Sequence, residues 1–88
     1  MIQNYLMINE ATNVVDNVCL WDGNVDTWTP PSGYLMLIQA TTPAMVWAYD
    51  DTAKDFVLTE VVGQGQIGFT WNGAACITND AKPPKPAV

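Results

Sequence analysis

Chemistry in this chain would have to be done by carboxylates. Its 88 residues include no histidine, no arginine and a single serine, Ser32, so neither a Ser-His nor a Cys-His nucleophile pair can be assembled within it. The nearest acidic pairs are Asp22 with Asp26 and Asp50 with Asp51. A glycosidase needs two carboxyl groups flanking a sugar in a cleft, one of them with a raised pKa, and a chain this short has little from which to build a cleft. Aspartate is also favoured in turns, where its side chain bonds the local backbone, and both pairs lie in turn-like sequence. Asp22-Gly23-Asn24-Val25-Asp26 gathers hard oxygen ligands of the kind calcium takes, but without EF-hand spacing. Zinc sites want four clustered Cys or His ligands, and there are two cysteines, Cys19 and Cys76. The expectation is a non-enzymatic protein with no metal and no cofactor, its cysteines reduced, with a disulfide between them as the lesser alternative.

Charge and apolar content set the broader class. Nine acids face three lysines, for a formal net charge of −6. Residues 1–53 carry six of the acids and no base, while Lys82 and Lys85 lie in the last seven residues. Nucleic-acid binding depends on Lys and Arg meeting phosphates, so no nucleic-acid partner is expected; a basic protein surface is the better match. Charged residues make up 14% of the chain and hydrophobic ones 49%, against about a quarter charged in ordinary globular proteins. So little charge on so small a body implies a surface that is bland or covered, and cover implies assembly. No stretch approaches the ~20 apolar residues that cross a bilayer, so no membrane partner is expected. The start, MIQNYLMINEA, has no basic leader, so a cytoplasmic product without a secretory signal is expected.

The elements that would position these residues read as strands. Apolar runs are short, rich in Val, Ile, Trp, Tyr and Phe, and broken every eight to twelve residues by Gly, Pro, Asn and Asp. Residues 4–9 and 13–21 form an opening hairpin, and Asp22-Gly23 marks a tight turn. Residues 25–33 hold Trp28-Thr29-Pro30-Pro31-Ser32-Gly33, a stiff, nearly extended loop that cannot be an interior strand. Residues 34–40 form a third strand. In 44–49, Met45, Trp47 and Tyr49 alternate with Ala44, Val46 and Ala48, and the large side chains mark a buried face or an interface. Residues 56–62 return as its partner. Residues 67–71 lead into Asn72-Gly73, which predicts a type I′ hairpin with Trp71 facing Ala74 and Phe69 facing Cys76. The fold class is all-β, a small antiparallel sandwich or partly open barrel of 6–7 short strands. Residues 1–80 form one domain, followed by a Pro-rich C-terminal arm, 81–88, extended and outside the sheet.

Trp21, Trp47 and Trp71 are expected to fill the core. Trp28 stands evenly between packing on the loop prolines and meeting a partner. The candidate contacts are therefore the aromatic loop, Trp28, Pro30, Pro31 and Tyr34, and the arm, Lys82, Pro83, Pro84, Lys85 and Pro86.

Several segments together are familiar: Tyr5-Leu6-Met7-Ile8; Asn17-Val18-Cys19-Leu20-Trp21-Asp22-Gly23; the Trp28 to Gly33 loop; and Ile67-Gly68-Phe69-Thr70-Trp71-Asn72-Gly73 before a Pro-rich end. In this order they resemble small β-domains of tailed bacteriophages, in virion proteins and tail-fibre assembly proteins. The likeness covers most of the chain except 39–62. It implies a non-enzymatic part of a virus particle: a capsid decoration or cement protein, or a small tail or fibre component, present in many copies or as a homo-oligomer and bound to capsid or tail subunits. A tail-fibre assembly chaperone is the alternative, and a glycan-binding module using Trp28 and Tyr34 on a fibre is a third.

Overall fold

The computed structural model describes residues 2–85; Pro86, within the expected arm, lies outside the described residues. The strands are β1 (Gln3–Asn9), β2 (Val14–Trp21), β3 (Tyr34–Ile38), β4 (Pro43–Asp50), β5 (Asp55–Val62), β6 (Thr70–Trp71) and β7 (Cys76–Ile77). They make one open seven-stranded sheet in the order β3-β1-β2-β6-β7-β4-β5. The all-β class expected from the sequence is the class observed. Neighbours run antiparallel except β4 and β7, which are parallel.

The first half of the sheet is organised by a bulge. β1 pairs β2 from Gln3↔Trp21 to Met7↔Asn17, and then the register slips so that Ile8 faces Val15 and Asp16 is left over. Side chains alternate faces along a strand, so without the extra residue Val15 and Val18 would point to opposite sides. With it, both join Leu6 and Ile8, and Val15, Leu6 and Ile8 are almost wholly buried. A bulge also re-aims the side chain it displaces. The Asp16 carboxylate is turned outward and accepts hydrogen bonds from the Tyr34 hydroxyl at 2.6 Å and from Asn9 Nδ2 at 3.5 Å.

The second half, the β4–β5 hairpin, is joined to the first through two very short strands. Ala44 faces Cys76 across the parallel β4–β7 ladder, and both are fully buried against Leu6, Ile8 and Val15. Gly65 lets the backbone approach this point: a Cβ there would lie 3.0 Å from Leu6 Cδ1 and 3.6 Å from Cys76 Cβ. Phe69 and Trp71 pack around the cluster, with Val18, Leu35 and Leu37. Of the three tryptophans expected in the core, Trp71 is there, whereas Trp21 and Trp47 sit elsewhere. Cys19 and Cys76 are free thiols, and burial pushes the Cys76 thiol pKa up.

Two local expectations are corrected and a third, the buried face or interface in β4, is narrowed. The hairpin at Asn72-Gly73 pairs Trp71 with Cys76 and Thr70 with Ile77, two residues away from the predicted register. The Asn72 side-chain oxygen accepts the N–H groups of both Ala74 and Ala75 at 2.8 Å, which holds Asn72 at the foot of the turn and leaves Gly73, at φ +95°, and Ala74 as its tip. The third strand ends at Ile38 rather than residue 40. Thr42 donates its hydroxyl to the Ile38 carbonyl at 2.6 Å and its N–H to Gln39, winding Gln39–Thr41 into a 3-10 turn. In β4 the fully buried residue is the small Ala44, while Tyr49 on the large-residue side is exposed.

With so few buried side chains, each counts heavily. Leu6→Ala is expected to cost about 2–5 kcal/mol, the range for a large-to-small change in a closed core, measured as a lower midpoint in urea unfolding at unchanged slope.

Candidate interaction surfaces

The acidic pairs are engaged in turn chemistry. Asp22 Oδ1 accepts the Asn24 N–H at 2.9 Å and the Thr27 hydroxyl at 3.1 Å. The backbone bond from Asn24 chiefly, helped by Thr27, holds its carboxyl below the usual range. Asp50 Oδ1 accepts the Thr52 N–H at 3.1 Å in the β4–β5 turn. Among the described residues no group of three His, Cys, Asp or Glu side chains is placed to hold a metal ion. Among the described residues no helix is long and apolar enough to cross a membrane.

The predicted aromatic loop is strung along the sheet rather than gathered at one point. The Trp28 ring packs edge-on against Trp21 with centroids 5.7 Å apart, and Trp21 in turn lies 5.1 Å from Tyr5. Tyr5 and Trp21 stand on the β1–β2 face opposite Leu6 and Ile8, so residues 22–33 roof the side of the sheet that the core does not cover. Gly23, at φ +82°, touches the Tyr5 hydroxyl, which a Cβ would approach to 3.0 Å. Trp28 nevertheless keeps 41% of its surface exposed; it both packs and presents itself. Pro30 is half-buried, and Pro31 is exposed. Tyr34 is at the far end: it faces Asn9 whereas Trp21 faces Gln3, a separation of six residues along β1, or about 20 Å. Its bond to Asp16, above all, raises the Tyr34 pKa.

The arm starts docked on the body. After β7 the chain follows β4 toward the hairpin tip: the Thr78 N–H donates to Met45 O at 3.0 Å, Trp47 Nε1 donates to Asp80 O at 2.9 Å, and Lys82 Nζ pairs with Asp55 at 2.6 Å. Pro83 is half-buried beside Val46 and Trp47, at the rim of a hollow of about 300 Å³ that also touches Gln64, Gln66 and Phe69. Ala81, Lys82, Pro84 and Lys85 are exposed. A proline has no N–H to offer a neighbouring strand, so this segment shields the β4 edge.

The feature that the sequence reading missed is the exposure of β5. The strand is an outer one of the sheet, eight residues without proline, and Val57, Leu58, Val61 and Val62 are each between 36 and 53% exposed. An outer strand presents a row of unpaired backbone groups, and a long apolar one is a template for another strand. The available signal was the loss of alternation: Phe56, Val57, Leu58, Val61 and Val62 put apolar side chains on both faces, which a strand with one solvated face does not do.

No family model matches the chain, and no curated protein or solved structure matches it significantly.

The arm contact carries a pH signature. Asp55 is held below its ordinary 3.8, first by the Lys82 hydrogen bond and then by the Phe56 N–H. A depressed carboxylate contributes stability that is present above its unfolded pKa and lost as pH falls through the folded one. The docked start of the arm is therefore expected to loosen as pH falls below 3.8, followed by the Trp47 indole N–H resonance; Asp55→Asn should loosen it already at neutral pH while leaving the strands intact.

Proposed function

We propose that this chain is a non-enzymatic structural protein of a tailed-phage virion, a capsid decoration or cement protein or a small tail or fibre component, that works by covering neighbouring virion subunits. The observation that carries the reading is β5, an apolar outer strand with exposed side chains on both faces. Strand addition along such an edge supplies main-chain hydrogen bonds, and side chains on either face supply selectivity. The overall form supports the same reading. The chain has a radius of gyration of 15.2 Å and extents of 56 × 27 × 18 Å, where a compact domain of this length would have a radius near 12 Å. It exposes 5583 Å², whereas a folded monomer of this mass exposes about 5,100 Å². A long thin plate offers more contact surface per residue than a sphere, which suits a component whose work is to lie against something larger.

Trp28 and the exposed part of the arm, Lys82, Pro84 and Lys85, are secondary contacts in this account. The arm is the one basic element on an acidic body, so it favours an acidic patch on the partner, while the body favours a basic one.

Mass spectrometry of purified particles is the test. The chain is expected at a stoichiometry comparable with that of structural subunits; near absence from finished particles would favour the assembly-chaperone reading instead. Deleting residues 81–88 is expected to weaken attachment to particles without loss of the strand circular dichroism, since those residues lie outside all seven strands.

A further inference from the structure

We infer that β5 is the edge through which this chain pairs with a second copy of itself, antiparallel and two-fold symmetric about Val57, joining two seven-stranded sheets into one. This deepens the assembly reading above and rests on it, by naming the first partner of the β5 edge.

The choice of a second copy comes from the charges along the strand. A two-fold pair is isologous, so each residue meets its counterpart reflected about the centre. Facing residues in an antiparallel ladder share a face of the sheet, so the axis must pass through a residue. Centred on Val57, Asp55 faces Thr59, Phe56 faces Leu58 and Val57 faces Val57, and Lys54, the turn residue just before β5, comes level with Glu60 of the other copy. Both ends of the contact then carry a Lys54 to Glu60 pair, and its middle is apolar. Centring on Asp55 would set Asp55 against itself, and centring on Glu60 would do the same for Glu60. Among centres within β5, Val57 alone gives Lys54 an acidic partner.

Lys54 also stands out by its backbone. It is exposed at the entry to β5 with φ +57°, a left-handed conformation that favours glycine or asparagine and is disfavoured for a lysine. The chain nevertheless keeps there the sole base of residues 1–81. Of the neighbouring acids, Asp55 is paired within its own chain with Lys82, and Asp50 stands on β4, facing Asp55 across the hairpin rather than on the β5 edge. Thr78 and Asp80 are held by β4 and not by the β5 backbone. In the joined sheet Phe56 and Leu58 of both copies extend the face that already bears Trp47 and Tyr49.

Charge reversal at the centre tests this directly. Sedimentation at about 100 μM, well above a micromolar Kd, is expected to show the wild-type chain as a dimer. Val57→Lys and Val57→Glu, each alone, should be monomers, since either sets like charges face to face; mixed in equal amounts they should return a heterodimer. Val57 is exposed, so both variants should keep the wild-type near-ultraviolet spectrum of the tryptophans. A wild-type monomer at that concentration, or wild-type-like dimers of the single variants, would overturn the pairing. A monomeric chain that is still found in particles would refute this inference and leave the virion reading standing; a dimer absent from particles would do the reverse.

Discussion

Leu6, Ile8 and Val15 from the β1–β2 hairpin meet Ala44 of β4 and Cys76 of the bridging strand β7 in one buried cluster, and on this contact the rest of the architecture depends. The β6–β7 strands that bridge the halves are two residues each, too short to hold the two halves of the sheet in register by hydrogen bonds alone. Side-chain burial must therefore fix the relation between the halves. It does so with small parts: an alanine, a cysteine, and a glycine at position 65 that admits the Leu6 side chain. The bulge that leaves out Asp16 is part of the same constraint, because it sets Val15 and Val18 on one face. One displaced residue thus closes the core and places an exposed carboxylate to receive Tyr34.

The two halves differ in how fully they are covered. The β1–β2 ladder has the core on one face and the 22–33 loop, anchored by Tyr5, Trp21 and Trp28, on the other. The β4–β5 hairpin has the core only at its base, near Ala44, and residues 78–83 along one edge. Its outer strand keeps four large apolar residues exposed. A monomer normally blunts such an edge with charge, proline or a short strand. Here those devices guard the β4 side, where the arm lies, and the β5 edge has only Asp55, held by Lys82, and Glu60. This asymmetry is what gives the low charge of the chain a place in the structure.

Much of this was legible in the residues. Strand positions followed from short apolar runs bounded by Gly, Asn, Asp and Pro, and the proline loop stood outside the sheet for want of N–H donors. What escaped were features set by competition among neighbours. The register at Asn72 turns on whether its side chain or its backbone closes the turn, and a dipeptide preference carries no information about the two N–H groups that the side chain captures. The bulge at Asp16 is invisible to simple alternation. The arm was legible as extended and outside the sheet because prolines cannot join a ladder, but the contact of Lys82 with Asp55 is a long-range pairing that no local pattern encodes. The aromatic loop was read as one site because its residues are close in sequence, while the strand it traverses carries Trp28 and Tyr34 to opposite ends of β1.

The claim at the centre of the account is that the β5 edge is completed by another chain. Hydrogen exchange at the backbone amides of Phe56 to Val62, followed in the free protein at low concentration and again in the associated form, addresses it at the atoms concerned. The account predicts that those β5 amides that β4 leaves unpaired exchange fast in the dilute chain and become protected on association, while the amides of β1 and β2 do not change. Equal and fast exchange of these β5 amides in both states, with protection gained elsewhere on the sheet, would contradict it.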